Sequence, residues 1–160
     1  MFVLLYYGAY GQMCKTGLYE RIDTIVIFDP ETHVEVTRIE KAMSVYFDAN
    51  QCDSLPDKMI AKTTPAKLSE VSNLASLEFR CGGLYQRPWE EEWKIESFKL
   101  VKYRANKRGQ SILNVGSEFS KETKEFLRKL NSKDILGFVE IKLVHVQKGR
   151  ASGEFKLKLR

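Results

Sequence analysis

The run EEWKIESFKLVKYR, residues 91–104, limits the fold more than any other part of the sequence. As an extended chain it sets Trp93, Ile95, Ser97, Lys99, Val101 and Tyr103 on one face and Glu96, Phe98, Leu100 and Lys102 on the other. Such a strand needs partners, and its length predicts a bend or bulge midway. The neighbouring sequence supplies those partners. ANKRGQ turns the chain and SILNV returns it; ILGFVEIKLVHV and GEFKLKLR form closing strands joined by the basic turn QKGRAS. Upstream, RIDTIVIFDPETHVEVTRIE reads as a hairpin broken at Asp29-Pro30, and MSVYFDA as a third strand. CDSLPDKMIAKTTPAK has no sustained period and two prolines, the mark of a linker. LSEVSNLASLEFR reads as a helical turn or two followed by a strand.

One stretch breaks the pattern. In EFSKETKEFLRKLNSKD, Ser120 is a natural N-cap and Glu122 lies in the first turn. Phe126, Leu127 and Leu130 make a narrow apolar stripe, and Arg128 and Lys129 suit the negative end of the dipole. A helix this short does not persist alone in water, so the stripe must dock on a sheet. The expected fold is therefore mainly β: an immunoglobulin-like β-sandwich with one short docked helix (about 120–130), preceded by a small N-terminal β-hairpin region. Three segments are expected: 1–11 as a signal-peptide remnant, 12–55 as the hairpin region and 56–160 as the sandwich.

The first boundary rests on MFVLLYYGAYGQMC. Its apolar run is too short to span a bilayer as a helix, and Ala9 and Gly11 precede Gln12 in the small-residue spacing of a peptidase site. An ordinary first strand is the competing reading. Charge divides the chain as well. Residues 1–55 hold 4 basic and 8 acidic side chains, residues 56–160 hold 22 and 13. The basic residues alternate with apolar ones or sit in turns, which reads as a solvated strand face; no nucleic-acid motif accompanies them. Cys14, Cys52 and Cys81 are too far apart for a zinc site. Buried thiols are the simpler reading, and in an oxidising compartment any one pair could bridge.

Chemistry is sparse. Asp29, Glu31 and His33 share a spacing that could present three metal ligands, but Pro30 places them in a turn, where such residues are ordinary. His145 reads as a packed strand residue. The carboxylates at 90–92 point to alternate faces and cannot converge as an acid/base pair. Phosphate-loop, nucleophile-elbow and zincin motifs are absent, so neither a cofactor nor an enzyme is expected. Trp89, if exposed, is a candidate partner anchor, and the basic turn with Lys102, Arg104, Lys107 and Arg108 is a second candidate contact.

The order WKIESFKLVKY, GSEFSKETKEFLRKLNSKD, FVEIKLVHVQKGRASGEFKLKL resembles the C-terminal domain of the GldM/PorM family, the gliding-motility and type IX secretion motor proteins of Bacteroidota. The matching positions are Ile95-Glu96-Ser97-Phe98, Gly116 with Phe119-Ser120, Leu130 with Asp134, Ile141-Lys142, the turn at Gly149, and Phe155 to Leu159. Upstream, LPDK and the segment KLSEVSNLASLEFRCGGLYQRPWEEEW resemble the family's preceding stretch, so the similarity covers about residues 55–160. Lys133 and Lys58 stand where the family has a glycine and a proline. The resemblance implies a periplasmic β-sandwich that binds another envelope protein, with homo-oligomerisation left open and no nucleic acid involved. The motor's ion-coupled function needs an intramembrane helix and is not implied. The competing expectation is an unrelated secreted β-sandwich that binds carbohydrate or a polyanion through aromatics and basic turns.

Overall fold

The computed structural model describes residues 14–49, 55–81, 93–105 and 107–160. The chain begins with a long hairpin, β1 (Lys15–Asp29) and β2 (Val34–Ala49). Then follow β3 (Lys58–Ile60), β4 (Thr64–Ala66), α1 (Leu68–Val71) and β5 (Leu74–Cys81). After β6 (Lys94–Arg104) and β7 (Lys107–Val115) comes α2 (Lys121–Arg128), and β8 (Ile135–His145) and β9 (Gly149–Leu159) close the fold.

These strands form two sheets. One has the order β1-β2-β5; the other runs β3-β9-β8-β6-β7, with β4 also paired to β9. The order β9-β8-β6-β7 is the G-F-C-C′ order of a variable-type immunoglobulin sheet. Helix α2 takes the place in the chain that strands D and E hold in that fold. The sheets face each other through stacked rings: Phe47 of β2 lies 5.7 Å from Phe155 of β9, and Phe155 lies 4.6 Å from Phe138 of β8. Gly153 permits this approach, since a Cβ there would clash with the edge of the Phe47 ring. Phe98, Leu100, Leu136, Ile141, Leu143 and Leu157 fill the interior with no exposed surface.

Several expectations meet their counterparts here. The bend predicted in residues 91–104 is present: β6 shifts register against β8 around Ser97 and against β7 between Val101 and Tyr103. MSVYFDA is not a separate third strand but the second half of β2. It pairs in parallel with β5, from Met43↔Leu74 to Ala49↔Cys81. Nor is residues 56–67 mere linker. Within that stretch β3 and β4 both pair in parallel with β9, a long-range match with no local periodic signature. The hairpin and the rest share one core, because Val45, Phe47 and Ala49 are buried among the sandwich residues.

Helix α2 docks as its sequence requires. Ser120 caps it by accepting a hydrogen bond from the Thr123 N–H at 3.1 Å. Leu127 is fully buried and Leu130 nearly so, while Phe126 is only half-buried. The anchor that sequence reasoning missed is polar. Asn114, buried on β7, accepts hydrogen bonds at 2.9 Å from both the Thr123 hydroxyl and the Ser120 N–H. Its amide nitrogen donates to the Gly116 and Glu118 carbonyls. The side chain thus joins the helix cap to the end of the strand before it.

Truncating Leu127→Ala should cost about 2–5 kcal/mol in urea-melt stability, and Phe126→Ala distinctly less, because its ring keeps solvent contact. Equal effects would place the helix in a different rotation from the one described.

Candidate interaction surface

The two halves of the hairpin share one continuous register but differ in what packs against them. Its root, up to about residues 21 and 42, is braced against the body. The Arg80 guanidinium of β5 lies 4.4 Å from the Tyr19 ring centre and 4.3 Å from that of Tyr46, a clamp across all three strands of the small sheet. Ser44 and Ser76 share a buried 2.6 Å hydrogen bond. Arg21 pairs with Asp23 at 2.9 Å and reaches Glu118, just before α2, at 3.2 Å.

Beyond this root the hairpin leaves the body. Strand β5 begins pairing at Met43, so the eight cross-strand pairs from Ile22↔Lys41 to Asp29↔Val34 have no further strand beside them among the described residues. At a strand's rise they form an arm about 25 Å long. Its register puts Ile22, Val26, Phe28 and Ile39 on one face and Ile25, Ile27, Val34 and Val36 on the other. All eight are exposed: Phe28 keeps 57% of its surface and Ile39 65%. A two-stranded ribbon is marginal in water, and apolar residues on both faces ask for cover on both.

The arm tip also holds the residues considered as metal ligands. Asp29 is occupied by the turn, where its Oδ1 accepts the Glu31 N–H at 2.9 Å and the Thr32 N–H at 3.4 Å. These donors hold its carboxyl below the usual range, the Glu31 N–H contributing most. His33 has φ 56° and stacks its ring on Phe28 at 6.2 Å. Among the described residues no three His, Cys, Asp or Glu side chains are grouped to hold a metal ion.

The basic turn divides. Lys102 and Arg104 point to Asp134, whose side chain is wholly buried, with contacts of 3.4 Å and 2.9 Å. Lys107 and Arg108, at the start of β7, are exposed. Burial alone would raise the Asp134 carboxyl. The Arg104 hydrogen bond, the Asn131 N–H and Lys102 outweigh it, leaving the group below the ordinary range. Trp89, Cys52 and the segment around Ala9, Gly11 and Gln12 lie outside the described residues. His145 is buried against Trp93 at 5.3 Å, and its Nδ1 accepts the Gln147 and Lys148 N–H groups of the β8–β9 turn.

The cysteines separate too: Cys81 is disulfide-bonded, which corrects the expectation of buried thiols at that position, whereas Cys14 is a buried thiol. Burial, helped by Asp48, pushes the Cys14 thiol up and makes it a poor nucleophile.

A second surface feature lies at the arm's root. A cleft of about 610 Å³ opens between the start of β1 and strand β3. Tyr46, Pro56, Met59 and Ile60 line it, with Lys15, Lys58 and Lys62 at its margin. No helix among the described residues is long and apolar enough to cross a membrane.

Sequence reasoning treated residues 21–40 as an ordinary hairpin. The available signal was TIVIF, an apolar run without polar alternation, which marks a strand covered on both faces. No protein-family model matches the chain, and no curated protein does.

The Asp134 cluster makes a pH prediction. Because the folded-state pKa is depressed, its stabilisation is full above the unfolded value near 4 and fades as pH falls through the folded pKa. Asp134→Asn should cost roughly 3 kcal/mol at neutral pH. The gap between wild type and variant, read from denaturant melts, should close on acidification. A gap independent of pH would assign the cost to packing instead.

Proposed function

We propose that this protein is a non-enzymatic protein–protein interaction module of the cell envelope, and that the arm of β1 and β2 is its binding element. One observation carries the reading: the eight apolar side chains exposed on both faces of the arm. A folded chain bears the cost of such a surface only where something covers it. The root supports the same view. The Arg80 clamp, the Ser44–Ser76 bond and the Arg21 ion pairs hold the arm's base to the sandwich, so the tip is presented rather than left to collapse.

The disulfide at Cys81 supports an oxidising compartment, in keeping with the periplasmic setting that the GldM/PorM resemblance implies. A link to gliding motility or type IX secretion rests on that resemblance alone. The polyanion alternative loses part of its contact patch, because Lys102 and Arg104 are engaged by Asp134, while Lys107 and Arg108 stay exposed.

Two measurements test this. Alkylation of the native protein under denaturing, non-reducing conditions should modify Cys14 and leave Cys81 unmodified until a reductant is added. Labelling of Cys81 without reductant in protein from native cells would remove the support for an oxidising compartment. A photo-crosslinker in place of Phe28 should give protein adducts in native cells, and one in place of Lys121, on the exposed side of α2, should not. Equal labelling from both positions, or none from position 28, would reject the arm as the binding element.

A further inference from the structure

We propose that the arm's occupant is a second copy of this chain: the tip of one arm docks in the cleft at the root of the next, so that copies associate head to tail. This rests on the reading of the arm as a binding element and names its partner. Three observations converge on it.

The first is charge. From residue 22 to 40 the arm carries Asp23, Asp29, Glu31, Glu35 and Glu40 against Arg38; Asp23 pairs with Arg21 and Glu40 with Arg38, so the surplus acidity is Asp29, Glu31 and Glu35 near the tip. The cleft lining includes Lys15, Lys58 and Lys62 beside Tyr46, Pro56, Met59 and Ile60; Lys58 is paired with Glu154 at 3.2 Å, which leaves Lys15 and Lys62 to meet an acidic partner. Each surface combines apolar side chains with charge, of opposite sign on the two, and such complementarity favours docking and fixes register.

The second is shape. The tip offers Phe28 and Val34 near the turn, both more than half exposed, and an aromatic side chain is the usual anchor of such an interface. A cleft of about 610 Å³ is of the size that takes an aromatic anchor together with its neighbours. Ile60, itself 60% exposed, lines this cleft and would be covered by the same event.

The third is geometry. The cleft is lined by Lys15 and Thr16 at the start of β1, whereas the tip follows Asp29 at its end. The strands are paired without interruption from Lys15↔Asp48 to Asp29↔Val34, so an arm cannot bend back into the cleft at its own root. Only another copy can bring its tip there. The contact uses different patches on the two copies, so it propagates into a chain or closes into a ring rather than stopping at a symmetric pair.

The test is sedimentation velocity of the purified wild type over a wide concentration range, at low and high salt. Mass should rise past the dimer with concentration and fall with salt. Phe28→Asp, on the arm, and Lys58→Glu with Lys62→Glu, in the cleft, should each weaken association roughly tenfold or more. Both sites are exposed, and unchanged melting of each variant checks the fold. The decisive experiment mixes the two variants. One has an intact cleft and the other an intact arm, so the mixture should form a heterodimer and nothing larger. Glu31→Lys with Glu35→Lys, combined with the two cleft substitutions in one chain, should restore assembly.

A wild type that stays monomeric throughout overturns self-docking. So does a symmetric dimer that the arm variant breaks and the cleft variant leaves intact, since arm-to-arm packing would then account for it. If the wild type is monomeric but the crosslinker at Phe28 captures a different protein in cells, this inference fails and the binding-module reading survives. No adduct at all overturns both.

Discussion

The structure turns on the contact between Phe47 and Gly153. Phe47 belongs to β2, whose first half is the outgoing arm and whose second half lies in the core. Its ring stacks on Phe155, and Phe79 of β5 flanks it at 6.2 Å. The contact needs a residue without a Cβ on β9, and Gly153 provides it. If this contact were displaced, the small sheet would lose its seat on the large one. The parallel pairing of β2 with β5 would be left without a core to cover it. The arm depends on the same point, because a ribbon so exposed has little stability of its own.

The described arrangement leaves a local conflict unresolved within one chain. Neighbouring pairs such as Ile27↔Val36 and Thr24↔Ile39 favour strand structure through β-branched side chains. They stabilise the ribbon against unfolding. Burial, the larger favourable term for any sheet, is missing on both faces. Local propensity and tertiary burial usually agree in a natural sequence, and sites where they disagree are expected to be functional ones. Here the disagreement is concentrated in residues 22–39; elsewhere Ile60, Leu113, Val115 and Val146 are exposed but scattered. The root, by contrast, has aromatic, ionic and buried hydrogen-bonding contacts in a single layer. The boundary between satisfied and unsatisfied surface falls where β5 stops pairing, at Met43.

Legibility in the sequence followed the range of the interactions. The helix was readable because its determinants are local: Ser120 as cap, Glu122 in the first turn, Leu127 and Leu130 on one stripe. The bulged strand β6 was readable from its length. What was not readable depends on partners far away in the chain. Thr64 to Ala66 shows no strand pattern, yet it pairs because β9 offers an edge. Asp134 has nothing in its neighbourhood to announce that it is buried. Its partners Lys102 and Arg104 lie about 30 positions away, and as surface charges they read as a contact patch. The exposed arm was not readable for a related reason. TIVIF was legible as strand, but an apolar run looks the same whether the fold buries it or projects it.

The path from the arm into the core bears on what such a module can do. The ladder between β2 and β5 runs from Met43 to Ala49, beyond the arm, with a register shift between Met43 and Ser44. The Arg80 clamp spans β1, β2 and β5 across the same region, so neither strand of the arm can slide past β5 without displacing a ring from the guanidinium. The ladder ends at Ala49↔Cys81, and Cys81 is itself fixed by a disulfide. The arm is thus continuous with a strand that is paired on both sides and buried in the core.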